Sequence, residues 1–113
     1  MHLSHLQLTA WNIVEQQGLH DALRTLDVRE ATLIRLGLVH TEVSEAMQEV
    51  KRHGVTAENL HTIGEELADI LIRVADLAQE LHIPLVQEVD QKLAKNRLRP
   101  YKYGTPEEGN GCA

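Results

Sequence analysis

Residues 36–50, LGLVHTEVSEAMQEV, and residues 63–74, IGEELADILIRV, decide how this chain folds. In the first stretch Leu36, Val39, Val43, Ala46, Met47 and Val50 recur at three- and four-residue steps. At about 100° per residue they fall in one stripe roughly 100° wide. In the second, Ile63, Leu67, Ile70, Leu71 and Val74 do the same, so both stretches predict amphipathic helices. Each also carries two acids at i,i+3 spacing, Glu42 with Glu45 and Glu66 with Asp69. Acids so spaced share one helix face, and both pairs flank the apolar stripe, where the helices would meet. Helices packed side by side would bring four carboxylates together, and these repel unless a cation sits among them. An all-oxygen set suits Mg²⁺ or Mn²⁺ rather than zinc. Surface helices are rich in Glu, so a solvated acidic face is the alternative for either pair alone. Against it, the second pair lies in the most hydrophobic helix of the chain, where isolated charge is costly.

Outward from this stretch, the helix holding Glu42 runs from about Arg29 to His53. Lys51, Arg52 and His53 sit in its last turn, where cations suit the helix dipole, and Gly54 is its stop. Thr56 is a good N-cap for the next helix, which is slow to start near Gly64 and extends to about His82. Ile72 and Ala75 widen its apolar face, so it is expected to be buried on more than one side, in a bundle centre or an oligomer interface. Pro84 ends it and opens a further helix, about Leu85 to Arg97. Upstream, Leu3, Leu6, Ala10, Ile13 and Val14 mark a first helix from about Leu3 to Gln17, with Gly18 as its stop. Leu19 to Val28 is ambiguous between a short turn and a loop. Tyr101 to Ala113 has no period. The expectation is an all-α bundle of four to five helices in one domain, residues 1–104, followed by a tail, 105–113.

Composition narrows the function classes. With 113 residues and a net charge of −6, the chain lacks the basic face that a nucleic-acid polymer requires. A small phosphorylated substrate carried with a metal is compatible with that charge. There is no Phe and only one Trp, so the core must be aliphatic. A single cysteine, Cys112, allows no internal disulfide and fits a reducing, cytoplasmic setting. No apolar run approaches the ~20 residues of a membrane span, and the N-terminus lacks a signal-peptide pattern, so no membrane contact is expected. A di-iron bundle would need Glu-x-x-His on two helices, and only Glu58-x-x-His61 fits. Neither a Ser-His-Asp arrangement nor a phosphate-binding glycine loop is present.

Three segments, His40-Thr41-Glu42-Val43-Ser44-Glu45-Ala46, then Glu65-Glu66-Leu67-Ala68-Asp69-Ile70-Leu71-Ile72-Arg73, then Lys92, Asn96 and Arg99-Pro100-Tyr101-Lys102, together resemble the MazG-like nucleotide pyrophosphohydrolases of the all-α NTP pyrophosphatase superfamily. The resemblance spans about Leu33 to Gly104. It implies Mg²⁺-dependent hydrolysis of a nucleoside triphosphate to the monophosphate and pyrophosphate. Carried over, Glu42, Glu45, Glu66 and Asp69 are the metal ligands and catalytic acids. Lys92 and Asn96 match substrate-binding positions, and Arg99, Tyr101 and Lys102 match the closing segment. The basic residues from Lys92 onward would form the phosphate side of the pocket, and the base would stack on Trp11. One departure stands out: the fuller motif begins with two adjacent acids, and here Thr41 replaces the first, a proposed general base in some relatives. The resemblance also implies oligomers, a homodimer or homotetramer. The competing readings are a non-catalytic helical interaction module and a same-fold hydrolase of another pyrophosphate, of the dUTP, dCTP or phosphoribosyl-ATP type.

Overall fold

The computed structural model describes residues 1–99. They form five helices, α1 (Leu3–Gln16), α2 (Leu19–Leu23), α3 (Val28–His53), α4 (Leu60–Glu80) and α5 (Leu85–Arg97), with no strand among the described residues. The all-α expectation holds, and the ambiguous stretch after Gly18 resolves into α2 and a turn. Gly18 joins α1 to α2 at φ 87°, a left-handed conformation in which glycine carries no steric cost.

The cap of α3 is Asp27, whose side chain accepts the Glu30 N–H at 2.8 Å. Gly54 closes α3 at φ 68°, ψ −155°. Thr56 does not open α4. That helix begins four residues later, because Asn59 captures the chain: its Oδ1 accepts the Thr56 N–H at 2.9 Å, and its Nδ2 donates to Glu49 Oε2 at 3.0 Å and to the Gly54 carbonyl at 2.8 Å. A buried amide with three partners pins the α3–α4 turn to α3. Beyond it α4 runs unbroken through Gly64.

Met1–Ile83 forms one compact unit, and a second begins at Pro84 and carries α5. Within the first unit α4 packs against α3 on one side and α1 on the other, and α2 against α1. Arg35 with Asp76, and Glu49 with Asn59, show that α3 and α4 run antiparallel. Gln7 Nε2 donating to the Ile83 carbonyl at 2.7 Å, and Trp11 bonding Glu80, show the same for α1 and α4. Ala75, Asp76, Leu77 and Ala78 are all buried. Four consecutive buried residues require neighbours all round a helix, so the C-terminal half of α4 is the centre of the fold. With Ala10, Val14 and Leu23, its apolar members make up the buried hydrophobic core among the described residues. Cover is lost toward the start of α4, where Leu67 and Leu71 are 58% and 49% exposed. No helix among the described residues is long and apolar enough to cross a membrane.

Candidate metal centre

Antiparallel pairing of α3 and α4 brings the two acidic segments level. Residues seven apart lie two turns along a helix, about 10 Å, on nearly the same line. Arg35, Glu42 and Glu49 therefore form one polar line on α3, and Asp69 and Asp76 another on α4. Arg35 and Asp76 meet in a cluster of ion pairs, and Glu42 meets the acids Glu45 and Glu66 in another.

The acid cluster contains Glu42, Glu45 and Glu66, each offering a carboxylate oxygen, and these oxygens all lie within 4.8 Å of one another. The Glu42 side chain is only 14% exposed. Glu42 Oε2 and Glu66 Oε2 are buried and accept no hydrogen bond. A buried oxygen without a donor is costly, and a positive partner would relieve both atoms. Arg73 supplies part of it, but its Nε stands 3.6 Å from Glu42 Oε1, beyond a good hydrogen bond. Burial pushes the Glu42 carboxyl above its ordinary range. The charges of Glu45 and then Asp69 add to that shift, and Arg73 opposes it. Asp69 thus acts on Glu42 without belonging to the tight three-oxygen set. Oxygens around one cation lie up to about 4 Å apart for Mg²⁺ and about 5 Å for Ca²⁺. The cluster is near that size, and its donor set is that of a hard divalent ion.

The acids border two cavities. One, of about 310 Å³, lies beside Glu42 and Asp69 and is walled by Ile13, Val14 and Gln17 from the α1 end and by Ile72 and Arg73 from α4. The other, of about 230 Å³, lies one turn further along α3. It adjoins Glu45 and Glu66 and holds Arg52 and His53. Thr41 contributes nothing to either: its hydroxyl donates to the Gly37 carbonyl one turn back, at 3.0 Å.

The second cluster centres on His20. Its Nδ1 lies 2.7 Å from Glu15 Oε1 and its Nε2 2.8 Å from Asp76 Oδ1. Carboxylates only accept, so both bonds form when each ring nitrogen carries a proton, as in the imidazolium. Asp76 Oδ2 also accepts from Arg35 Nη1 at 2.5 Å, and Arg24 donates to both oxygens of Glu15. The Arg24 guanidinium, and after it His20, hold the Glu15 carboxyl below its ordinary range. Trp11 belongs to this cluster. Its Nε1 donates to Glu80 Oε1 at 2.9 Å, and its ring lies 4.6 Å from the His20 ring. It borders a cavity with Leu8, Gln79 and His82, separate from the two beside the acids.

Lys92 and Asn96 stand one turn apart on α5, and the Arg99 N–H donates to the Asn96 carbonyl at 3.1 Å. All three belong to the second unit. Tyr101 and Lys102 lie outside the described residues. Arg73 belongs to the sequence motif that holds Glu66 and Asp69, but Gln17 beside the acids and the His20 cluster as a whole were missed. The seven-residue spacing Arg35–Glu42–Glu49 and Asp69–Asp76 was the available signal for part of it. No protein-family model, curated protein or solved structure matches this chain.

Proposed function

We propose that this chain is a Mg²⁺-dependent nucleoside triphosphate pyrophosphohydrolase of the MazG-like, all-α type, working as a homo-oligomer. The observation that carries the reading is the packing of Glu42, Glu45 and Glu66 from two antiparallel helices, with two buried carboxylate oxygens lacking a donor. Glu42, Glu45 and Glu66 would hold the ion, and Asp69, beside Glu42 on the same cavity, completes the acidic set. The ion, when bound, shields triphosphate charge and makes water a better nucleophile.

The chain's own groups do the rest. Water attacks the α-phosphorus, the bond to the α,β-bridging oxygen breaks, and pyrophosphate leaves. One of the four carboxylates takes the water's proton, since the neutral hydroxyl of Thr41, which donates to Gly37, is not a base. Such chemistry is mostly positioning and charge neutralisation, so no further base is required. Arg52 offers positive charge to the departing phosphates, and Lys92, Asn96, Arg99, Tyr101 and Lys102 keep the substrate-binding roles that the resemblance implies.

The test is pyrophosphate release across canonical and modified NTPs and dNTPs with Mg²⁺. Glu66→Gln and Asp69→Asn should each abolish release while preserving helicity. Full activity in both variants would overturn the assignment. A non-catalytic interaction module draws support from the exposed apolar residues on α3 and α4, and absence of release from every nucleotide would favour it.

A further inference from the structure

We propose that the cavity bordered by α2, the turn after it, the start of α3 and the end of α4 binds a free α-amino acid with an aliphatic side chain. The proposal is independent of the acid cluster, none of whose residues borders this cavity. The cavity measures about 240 Å³, which is below the ~300–1,000 Å³ of pockets for larger ligands. It suits an occupant of amino-acid size.

Two lining residues set the polar chemistry. Arg35 is only 4% exposed, and among the described residues its one hydrogen bond runs from Nη1 to Asp76. A guanidinium carries more donors than one acceptor uses, so Nε and Nη2 remain to hold a carboxylate. Glu80 stands beside it on the same cavity. Glu80 Oε1 accepts from Trp11 Nε1 and lies 3.6 Å from Arg35 Nη2, too far for a good hydrogen bond. Opposite charges thus stand side by side without satisfying each other. A molecule with ammonium and carboxylate on one carbon fits both: its carboxylate accepts from Arg35 and its ammonium donates to Glu80. A chain terminus or a simple fatty acid carries only one of these groups. The other polar groups around the cavity are already engaged. Arg24 donates to Glu15 and Asp21, and both ring nitrogens of His20 face carboxylates. The rest of the lining is largely aliphatic, with Leu23, Leu26, Val28 and Leu81. A branched aliphatic side chain gains by burial there.

The experiment uses the full chain and the variants Glu80→Gln and Ala31→Phe. Calorimetry measures binding of L-leucine, glycine, isocaproate (leucine without its amine) and isoamylamine (leucine without its carboxylate), with Mg²⁺ and with chelator. The wild type should bind leucine, and each of the other three should bind about tenfold more weakly or worse, having lost the tail or one charged arm. Chelator should change nothing, since the acids take no part. Glu80→Gln keeps an oxygen for Trp11 but removes the charge that meets the ammonium. It should bring leucine down to the level of isocaproate, a change of ratio that a loss of general stability does not produce. Ala31 borders the cavity, and Ala31→Phe fills it, so leucine should weaken about tenfold or more while helicity is kept. No leucine binding to the wild type would overturn the proposal. So would isocaproate binding as tightly as leucine, or wild-type leucine affinity in both variants.

Discussion

Glu42 sits where burial and two neighbouring carboxylates all oppose its charge, and its carboxyl is accordingly raised above the ordinary range. The native state therefore binds a proton at Glu42 more readily than the unfolded chain does. By linkage, the stability this contributes is fully present below the unfolded pKa and is lost as pH rises through the folded one. The metal-free protein should lose stability on that rise, Mg²⁺ should restore it, and Glu42→Gln should flatten the response. Thermal unfolding from pH 4 to pH 8, with and without Mg²⁺, measures all three, and a wild-type profile unchanged in Glu42→Gln would contradict the assignment. Asp76 is the opposite case. It is buried between His20 and Arg35, and each of its oxygens has a hydrogen-bond partner. Asp76→Ala removes the buried partner of both, leaving Arg35 with Glu80 at 3.6 Å and His20 with Glu15, and should cost about 3–5 kcal/mol in denaturant unfolding.

At the scale of the elements, α3 carries half of both clusters, so its ends matter. Asp27→Ala removes the only side-chain cap on α3 and should cost about 1 kcal/mol, read as a lower denaturant midpoint with an unchanged slope. The helices themselves were legible. Apolar periodicity and Gly54 marked α3 within a residue, and Pro84 with the following period marked α5 over Leu85–Arg97. The start of α4 was not legible, because Thr56 is locally as good a cap as Asn59. What decides between them is the bond from Asn59 to Glu49 and its further bond to Gly54, which exist only once α3 is formed. The acid cluster was legible because i,i+3 spacing is local and both pairs flank their stripes. The His20 cluster was not: His20 and Asp76 are 56 positions apart, and nothing near either announces the other. Trp11, the sole indole, bonds Glu80 and lies against His20, partners that no local pattern shows.

The whole molecule has less core than its sequence supplies. Among the described residues the buried apolar set is short and mostly alanine, valine and leucine from α1, α2 and α4, while Leu33, Leu36, Met47, Leu60, Leu67 and Leu71 stay exposed on α3 and α4. Each such side chain is about half exposed and so forgoes roughly 1 kcal/mol of burial. An interface would cover such residues on two adjacent helices, and a second copy of this chain is the partner we propose. Sedimentation should report a homodimer or homotetramer, and Leu71→Glu should shift it toward monomer; an unaltered mass in Leu71→Glu would place the interface elsewhere. Global stability also gives the sharpest view of the acid cluster, because any ligand that binds only the native state raises it, by ~2.7 kcal/mol at a hundredfold excess over Kd. The deciding measurement is thermal unfolding against Mg²⁺ at constant ionic strength, in wild type and Glu66→Gln. A metal centre at these acids gives a saturable rise in Tm for the wild type and a flat line for the variant. No rise in the wild type, or the same rise in both, would contradict a metal centre built from Glu42, Glu45 and Glu66.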